Sequence, residues 1–253
     1  MREQMRPFLG RAYAHRGLHD TENLIPENSM SAFKEAVKHK LAIELDIHLT
    51  RDKKVVVFHD ELLKRMCQVP GTIEDSTYEE LQKLRLLHTD ERIPLFTEVL
   101  DYIAGRVPLL IELKLPSGDM SLCFFAAALL RDYKGPYMVQ SFNSLGIRWF
   151  RKNEPSVLRG QLSNALTKDK NSAPYIVRFC VQHLLTNVLC RPDFISYKLK
   201  DTKNLSVFLT DKLLGTPTAV WTLRSKSDCI KAIQKFDMYI FENKKNIKYF
   251  QNI

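Results

Sequence analysis

The stretch Ala42-Ile43-Glu44-Leu45-Asp46-Ile47-His48-Leu49-Thr50-Arg51-Asp52-Lys53-Lys54-Val55-Val56-Val57-Phe58-His59-Asp60 reads as two β-strands folded back on one another. Residues 42–47 alternate, which sends Ile43, Leu45 and Ile47 to one face and Glu44 with Asp46 to the other. Residues 55–58 form a second β-rich run. A parallel crossover needs a dozen residues or more, so the short connection between the runs predicts an antiparallel hairpin. Arg51-Asp52-Lys53 is polar enough to be its turn. A turn centred near Arg51-Asp52 places residue 44 opposite residue 59, setting His59 beside Glu44.

Outward from this hairpin, apolar β-rich runs alternate with amphipathic segments along the 253 residues. Strands are expected at 11–14, 42–47, 55–58, 108–113, 137–140, 157–161, 194–197, 219–223 and 238–241. Helices are expected at 29–39, 95–104, 121–133, 144–152, 174–187 and 227–236. Such alternation predicts βα units and a parallel sheet. Removing the hairpin strand 55–58 leaves eight strands, the number that closes a (β/α)₈ TIM barrel. With no Gly-, Ser- or Pro-rich linker, one domain over residues 1–253 is expected, with an abbreviated eighth helix in 243–253.

The 38 Lys and Arg against 29 Asp and Glu leave a charge of +9, which attracts anions without naming one. Apart from clusters at 168–170 and 244–248 the basic residues are scattered, which fits a phosphate site better than a nucleic-acid track, and no nucleic-acid partner is expected. The five cysteines, Cys67, Cys123, Cys180, Cys190 and Cys229, lack metal-knuckle or redox spacing and read as reduced thiols of a cytoplasmic protein. Residues 1–11 lack a signal-peptide core, and the longest apolar run, 122–130, is too short to span a bilayer, so stable membrane insertion is not expected. Oligomeric state is not encoded in any pattern.

Reactive groups of a barrel gather at the carboxyl ends of its strands. Those ends carry His15-Arg16, Glu44 with Asp46, and Glu112 with Lys114, while His59 arrives from the hairpin. Carboxylates facing a barrel interior need a compensating partner, and a divalent cation, Mg²⁺ or Ca²⁺, suits oxygen ligands. Each group alone has a plainer alternative. His15 can be a hydrogen-bonded strand-end histidine, His59-Asp60 a strand terminus, Glu44 and Asp46 a solvent stripe, and Glu112-Lys114 a surface ion pair. Trp221 reads equally as core or as a platform for ligand. Asn28 or Ser29 is expected to cap a helix, with a site role for Asn28 left open. His19, His39, His48, His88 and His183 are read as ordinary polar residues.

His15-Arg16-Gly17, Pro26-Glu27-Asn28-Ser29, Ala32-Phe33, Ile43-Glu44-Leu45-Asp46, Leu49-Thr50-Arg51-Asp52, Val56-Val57-Phe58-His59-Asp60, Glu112-Leu113-Lys114, Gln140-Ser141-Phe142 and Val220-Trp221-Thr222 together resemble the glycerophosphodiester phosphodiesterase family, in its order and over nearly the whole chain. The resemblance implies a phospholipase-C-like barrel that hydrolyses small glycerophosphodiesters to glycerol 3-phosphate and an alcohol. It implies metal ligands at Glu44, Asp46 and Glu112, acid and base at His15 and His59, and phosphate contacts from Arg16 and Lys114. The chain departs from the family pattern at Lys40-Leu41-Ala42, where a Gly is frequent, at Arg224, where Asn is common, and in Asp237-Met238-Tyr239-Ile240-Phe241-Glu242. Two alternatives stand beside this reading. A lysophospholipase D or phosphoinositide-type lipid phosphodiesterase would need a membrane-binding surface, and no single segment reads as an amphipathic anchor. A non-catalytic module binding glycerophosphate polymers would have lost a histidine or carboxylate, and none is missing.

Overall fold

The computed structural model describes residues 2–116, 118–168 and 173–250. In chain order the main elements are β1 (Arg11–Ala14), α1 (Met30–Lys38), β2 (Ala42–Leu49), β3 (Val55–Val57), α2 (Phe96–Ile103), β4 (Leu109–Leu113), α3 (Ser121–Arg131), β5 (Tyr137–Ser141), α4 (Ser144–Asn153), β6 (Arg159–Ser163), α5 (Tyr175–Gln182), β7 (Phe194–Lys198), α6 (Leu205–Lys212), β8 (Thr218–Leu223), α7 (Lys226–Ile233) and β9 (Met238–Phe241). The strands run in the order β1-β9-β8-β7-β6-β5-β4-β2-β3, and pairing of β1 with β2 closes eight parallel strands into a TIM barrel. The ninth strand, β3, is bonded antiparallel to β2, as the short connection requires.

Alternation along the strands builds two layers. Ile43, Leu45, Ile47, Leu109 and Ile111 face outward into the helices, in one cluster with Phe33, Val99, Ala126 and Phe150. Inward, Tyr13, Ala42, Leu110, Met138, Leu158, Phe194, Ala219 and Met238 fill the lower barrel, and Met5 and Phe8 join them from the amino terminus. Each such large apolar side chain contributes roughly 1.5–3 kcal/mol of burial. Gly160 leaves the room that Phe194 needs: a β-carbon there would stand 2.2 Å from its ring. One residue pair higher, the same inward positions become Glu44, Asp46 and Glu112. The fold therefore delivers an apolar floor and a charged mouth.

Three local expectations are corrected. The hairpin register is displaced by one residue, with Ile47 opposite Val57 and the Phe58 amide donating to the Asp46 carbonyl at 3.0 Å. Thr50 and Lys54 close a three-residue turn, with Lys53 in the left-handed region at φ 62°, so its centre is Asp52. His59 thus lies beyond the paired ladder and does not face Glu44 across it. The helix expected over 174–187 breaks after Gln182, where Leu184 adopts φ 56°, and a short helix Asn187–Cys190 follows. Between β7 and β8 stands a helix, α6, that no amphipathic stripe announced. After β9 the chain forms a 3₁₀ segment, Lys244–Tyr249, in place of a full helix; residues 251–253, like Lys170 of one basic cluster, lie outside the described residues.

Candidate active site

β2 and β4 are parallel neighbours with Asp46 and Glu112 as register partners, and Glu44 lies two residues earlier on the same face. All three carboxylates are buried, at 2%, 1% and 7% exposure for Glu44, Asp46 and Glu112. One oxygen from each lies within 4.8 Å of the others. Oxygens on opposite sides of a hard cation stand at about twice a metal–oxygen distance of roughly 2.3–2.6 Å, so this group could hold a metal ion. Lys114 Nζ sits 2.9 Å from Asp46 Oδ1 and 2.5 Å from Glu112 Oε1. Arg16 Nε lies 3.7 Å from Asp46 Oδ2, and the Arg16 amide donates to Glu44 Oε2 at 3.0 Å. Asn28 Nδ2 donates to Asp46 Oδ2 at 2.9 Å, while Ser29 caps α1, which resolves the two roles left open for that pair.

Three acids against two cations leave this interior one negative charge in excess, and uncompensated buried charge costs several kcal/mol. The protonation equilibria carry that excess. Burial, with Asp46 and Glu112 adjoining, raises Glu44 well above the usual carboxylate range. Burial also raises Glu112, against the pull of Lys114. For Asp46 burial is outweighed by Lys114, His59, Arg16 and the Asn28 hydrogen bond, so its carboxyl is held down. A divalent cation among them would more than offset that excess and favour all three acids in their charged form, and the donor set of oxygens fits Mg²⁺ or Ca²⁺.

The two imidazoles are each anchored by a carboxylate. His15 Nδ1 lies 2.7 Å from Glu242 Oε1, with its Nε2 4.0 Å from Glu44 Oε2. Burial, only partly offset by the Glu242 hydrogen bond, lowers His15 from 6.5 to about 4. Glu242 itself is brought from 4.5 to about 2, because its bonds to His15 and Arg224 outweigh burial. His59 Nδ1 lies 2.6 Å from Asp60 Oδ1, and Arg65 clamps Asp60 while also reaching Glu27, which in turn holds Arg16 at 2.7 Å. One ionic chain thus joins Arg16 and His59. Arg16 (φ 57°) and Gly17 (φ 79°) form the tight turn after β1, and a β-carbon on Gly17 would fall 2.8 Å from the Ala32 β-carbon.

His15, Arg16, Glu44, His59, Glu112, Lys114 and Trp221 line one cavity of about 190 Å³. That is smaller than the roughly 300–1,000 Å³ of pockets for drug-sized ligands, and suits a small polar fragment. Trp221 is half-buried and edge-on to Phe142, and it both packs against the inner apolar cluster and lines the cavity. Three lining groups, Arg16 Nε, Gln140 Oε1 and Trp221 Nε1, are buried polar atoms with no hydrogen-bond partner. Buried polar atoms are normally paired, so these are open to a ligand. Sequence reasoning missed several residues of the site. Gln140, Lys198 and Glu242 all stand at strand carboxyl ends, and reading every strand end alike would have found them. His48, read as an ordinary polar residue, is buried between Glu74 (2.6 Å) and the His59 carbonyl (3.3 Å), so it buttresses His59. Only its place two residues after Asp46 hinted at that.

The model of the glycerophosphoryl diester phosphodiesterase family matches residues 15–241. A glycerophosphodiester phosphodiesterase of Caldanaerobacter subterraneus is 33% identical over 59% of this chain and 65% of its own length. The human lysophospholipase D GDPD1 is 39% identical over 42% of this chain and 37% of its own. The first curated relatives are thus matched over less than two thirds of their length. An Oleispira antarctica phosphodiesterase, solved with the product sn-glycerol-3-phosphate, superposes with a TM-score of 0.78 at 21% identity, covering 97% of this chain and 98% of that one. With the family's model spanning nearly the whole barrel, the chain belongs to the glycerophosphoryl diester phosphodiesterase family.

Proposed function

We propose that the protein hydrolyses glycerophosphodiesters to sn-glycerol 3-phosphate and an alcohol, with Glu44, Asp46 and Glu112 holding one divalent cation and His15 and His59 moving the protons. The observation that carries this reading is convergence: three buried acids lie within 4.8 Å of one another, and two of them, Glu44 and Glu112, line one cavity with two imidazoles, each backed by a carboxylate. The names of the Caldanaerobacter relative and of the product in the Oleispira structure support the substrate class. When bound, the cation supplies positive charge against the phosphodiester anion. Arg16 and Lys114 hold its remaining oxygens. Glu242 and Asp60 fix each Nδ1, which leaves each Nε2 to exchange a proton with substrate.

One imidazole takes the proton of the attacking hydroxyl while the other protonates the leaving alcohol oxygen. The glycerol 2-hydroxyl is tethered close to phosphorus and is the favoured attacker, giving a cyclic diester that water opens with the roles reversed. Direct attack by water would use the same pair. Trp221 and Phe142 form the apolar wall against the glycerol carbons. Incubation with glycerophosphocholine and Mg²⁺ or Ca²⁺ should release sn-glycerol 3-phosphate, and EDTA should abolish it. Release of phosphocholine in its place, or metal-independent turnover, contradicts the reading.

A further inference from the structure

Twelve of the seventeen large apolar side chains exposed among the described residues fall between Tyr175 and Leu214, in the helical segments after β6 and β7 and their turns. Singly exposed apolar groups are ordinary, whereas so many concentrated in two neighbouring segments point to a surface that is covered. Leu205, Phe208 and Leu209 of α6 and Leu213, which caps its carboxyl end, recur at helical spacing and are 67%, 56%, 39% and 72% exposed, while Val207 and Thr210 turn inward. On α5, Ile176 and Phe179 are likewise exposed. The two helices meet at the catalytic end of the barrel. The carbonyl of Gln182, last in α5, accepts from Tyr197 Oη at 2.8 Å and from Nδ2 of Asn204, the cap of α6, at 2.9 Å. Just past β6, the Ala165 amide donates to Asp201 just past β7. Lys198, on the same strand as Tyr197, lines the cavity.

The charge carried by this stretch is net positive. Residues 174–217 hold six Lys or Arg against three Asp. Asp193 is buried and faces Arg159, Asp201 accepts from the Ala165 amide, and Asp211 pairs with Lys212. Lys200 and Lys203, just before α6, remain exposed to solvent. Apolar side chains that enter an interface, flanked by cations that meet head groups, are the chemistry of an anionic bilayer surface. We propose that the outward faces of α5 and α6 form a docking surface that seats the catalytic mouth on an anionic lipid bilayer. The surface is shared between two helices and so escapes any search for one amphipathic segment. This goes beyond the hydrolytic reading and stands without it.

The test is co-sedimentation of the full chain with vesicles of phosphatidylcholine alone or mixed with phosphatidylglycerol, for wild type and the Leu205→Glu/Phe208→Glu double variant. Both side chains are exposed, so the variant should fold, and an unchanged circular-dichroism melt checks that. Expected are binding to phosphatidylglycerol vesicles at least about ten-fold tighter than to phosphatidylcholine, weakening with salt, and a loss of about ten-fold or more in the variant. Its hydrolysis of water-soluble glycerophosphocholine should match wild type. Failure of wild type to bind, or equal binding by the variant, overturns the proposal. So does a wild-type dimer in sedimentation analysis that the variant renders monomeric, because the surface is then a seam between copies of the chain. A protein that binds vesicles but releases no glycerol 3-phosphate would contradict only the hydrolytic reading.

Discussion

The two halves of the barrel mouth are built differently. From β9 through β1 and β2 to β4, the strand ends carry Glu242, His15, Glu44, Asp46 and Glu112, each tied to a named neighbour at hydrogen-bond or ion-pair distance. From β5 to β8 they carry Gln140, Leu162, Lys198 and Trp221, and two of those four present buried polar atoms with no partner. Preorganised groups stabilise developing charge because they need not reorganise during reaction, so the first half has the character of a chemical centre. Unpaired groups wait for a ligand: of the three that line the cavity, Gln140 and Trp221 stand in the second half and Arg16 in the first, so recognition weighs toward the second half. The lipid-facing helices also follow strands of that second half. Chemistry and attachment are thus separated around one ring.

Substitutions can break or sharpen this contrast, beginning with the largest expected effect. His15→Ala and His59→Ala should each lower kcat by about 10²-fold or more, the scale of lost acid–base catalysis. Steady-state kinetics with near-normal turnover in either would remove that residue from the chemical half. Glu44→Gln should move the metal requirement to higher concentration by about ten-fold or more, read by titrating activity against Mg²⁺ or Ca²⁺. An unchanged titration would argue against a ligand at that position. In the second half, Trp221→Ala should raise KM a few-fold with kcat little changed, since uniform binding is lost and not transition-state stabilisation. A collapse of kcat there would erase the distinction between the halves.

Glu242 joins β9 to His15 and gives a smaller, pH-dependent effect. Its carboxyl is depressed from 4.5 to about 2 in the folded protein, so its contribution to stability is present above the unfolded value and lost as pH falls toward 2. Wild type should therefore exceed Glu242→Gln in urea stability at pH 6, and the difference should shrink between pH 4.5 and 2. A difference that grows on acidification would show the sign to be wrong.

Much of this architecture was legible in the sequence, for a physical reason. Strand periodicity and a connection too short for a crossover fixed the hairpin, and inward carboxylates on β2 and β4 announced a charged mouth. Register was not legible, because Thr50–Lys54 closes a three-residue turn through side-chain hydrogen bonds that alternation does not encode. Helix α6 escaped notice because it is apolar on both sides, with Val207 inward and Phe208 outward. The supports of the imidazoles were hidden too. Glu242 lies 227 residues from His15, and Glu74 lies 26 from His48, so only closure of the barrel and the loop after β3 brings them together.

The most direct measurement is anomalous diffraction from crystals grown with Mn²⁺ or Ca²⁺ and sn-glycerol 3-phosphate. A single strong peak bonded to Glu44, Asp46 and Glu112, with the phosphate between His15 and His59, is the predicted result. A cation bound elsewhere, or a phosphate beyond the reach of both imidazoles, would contradict it.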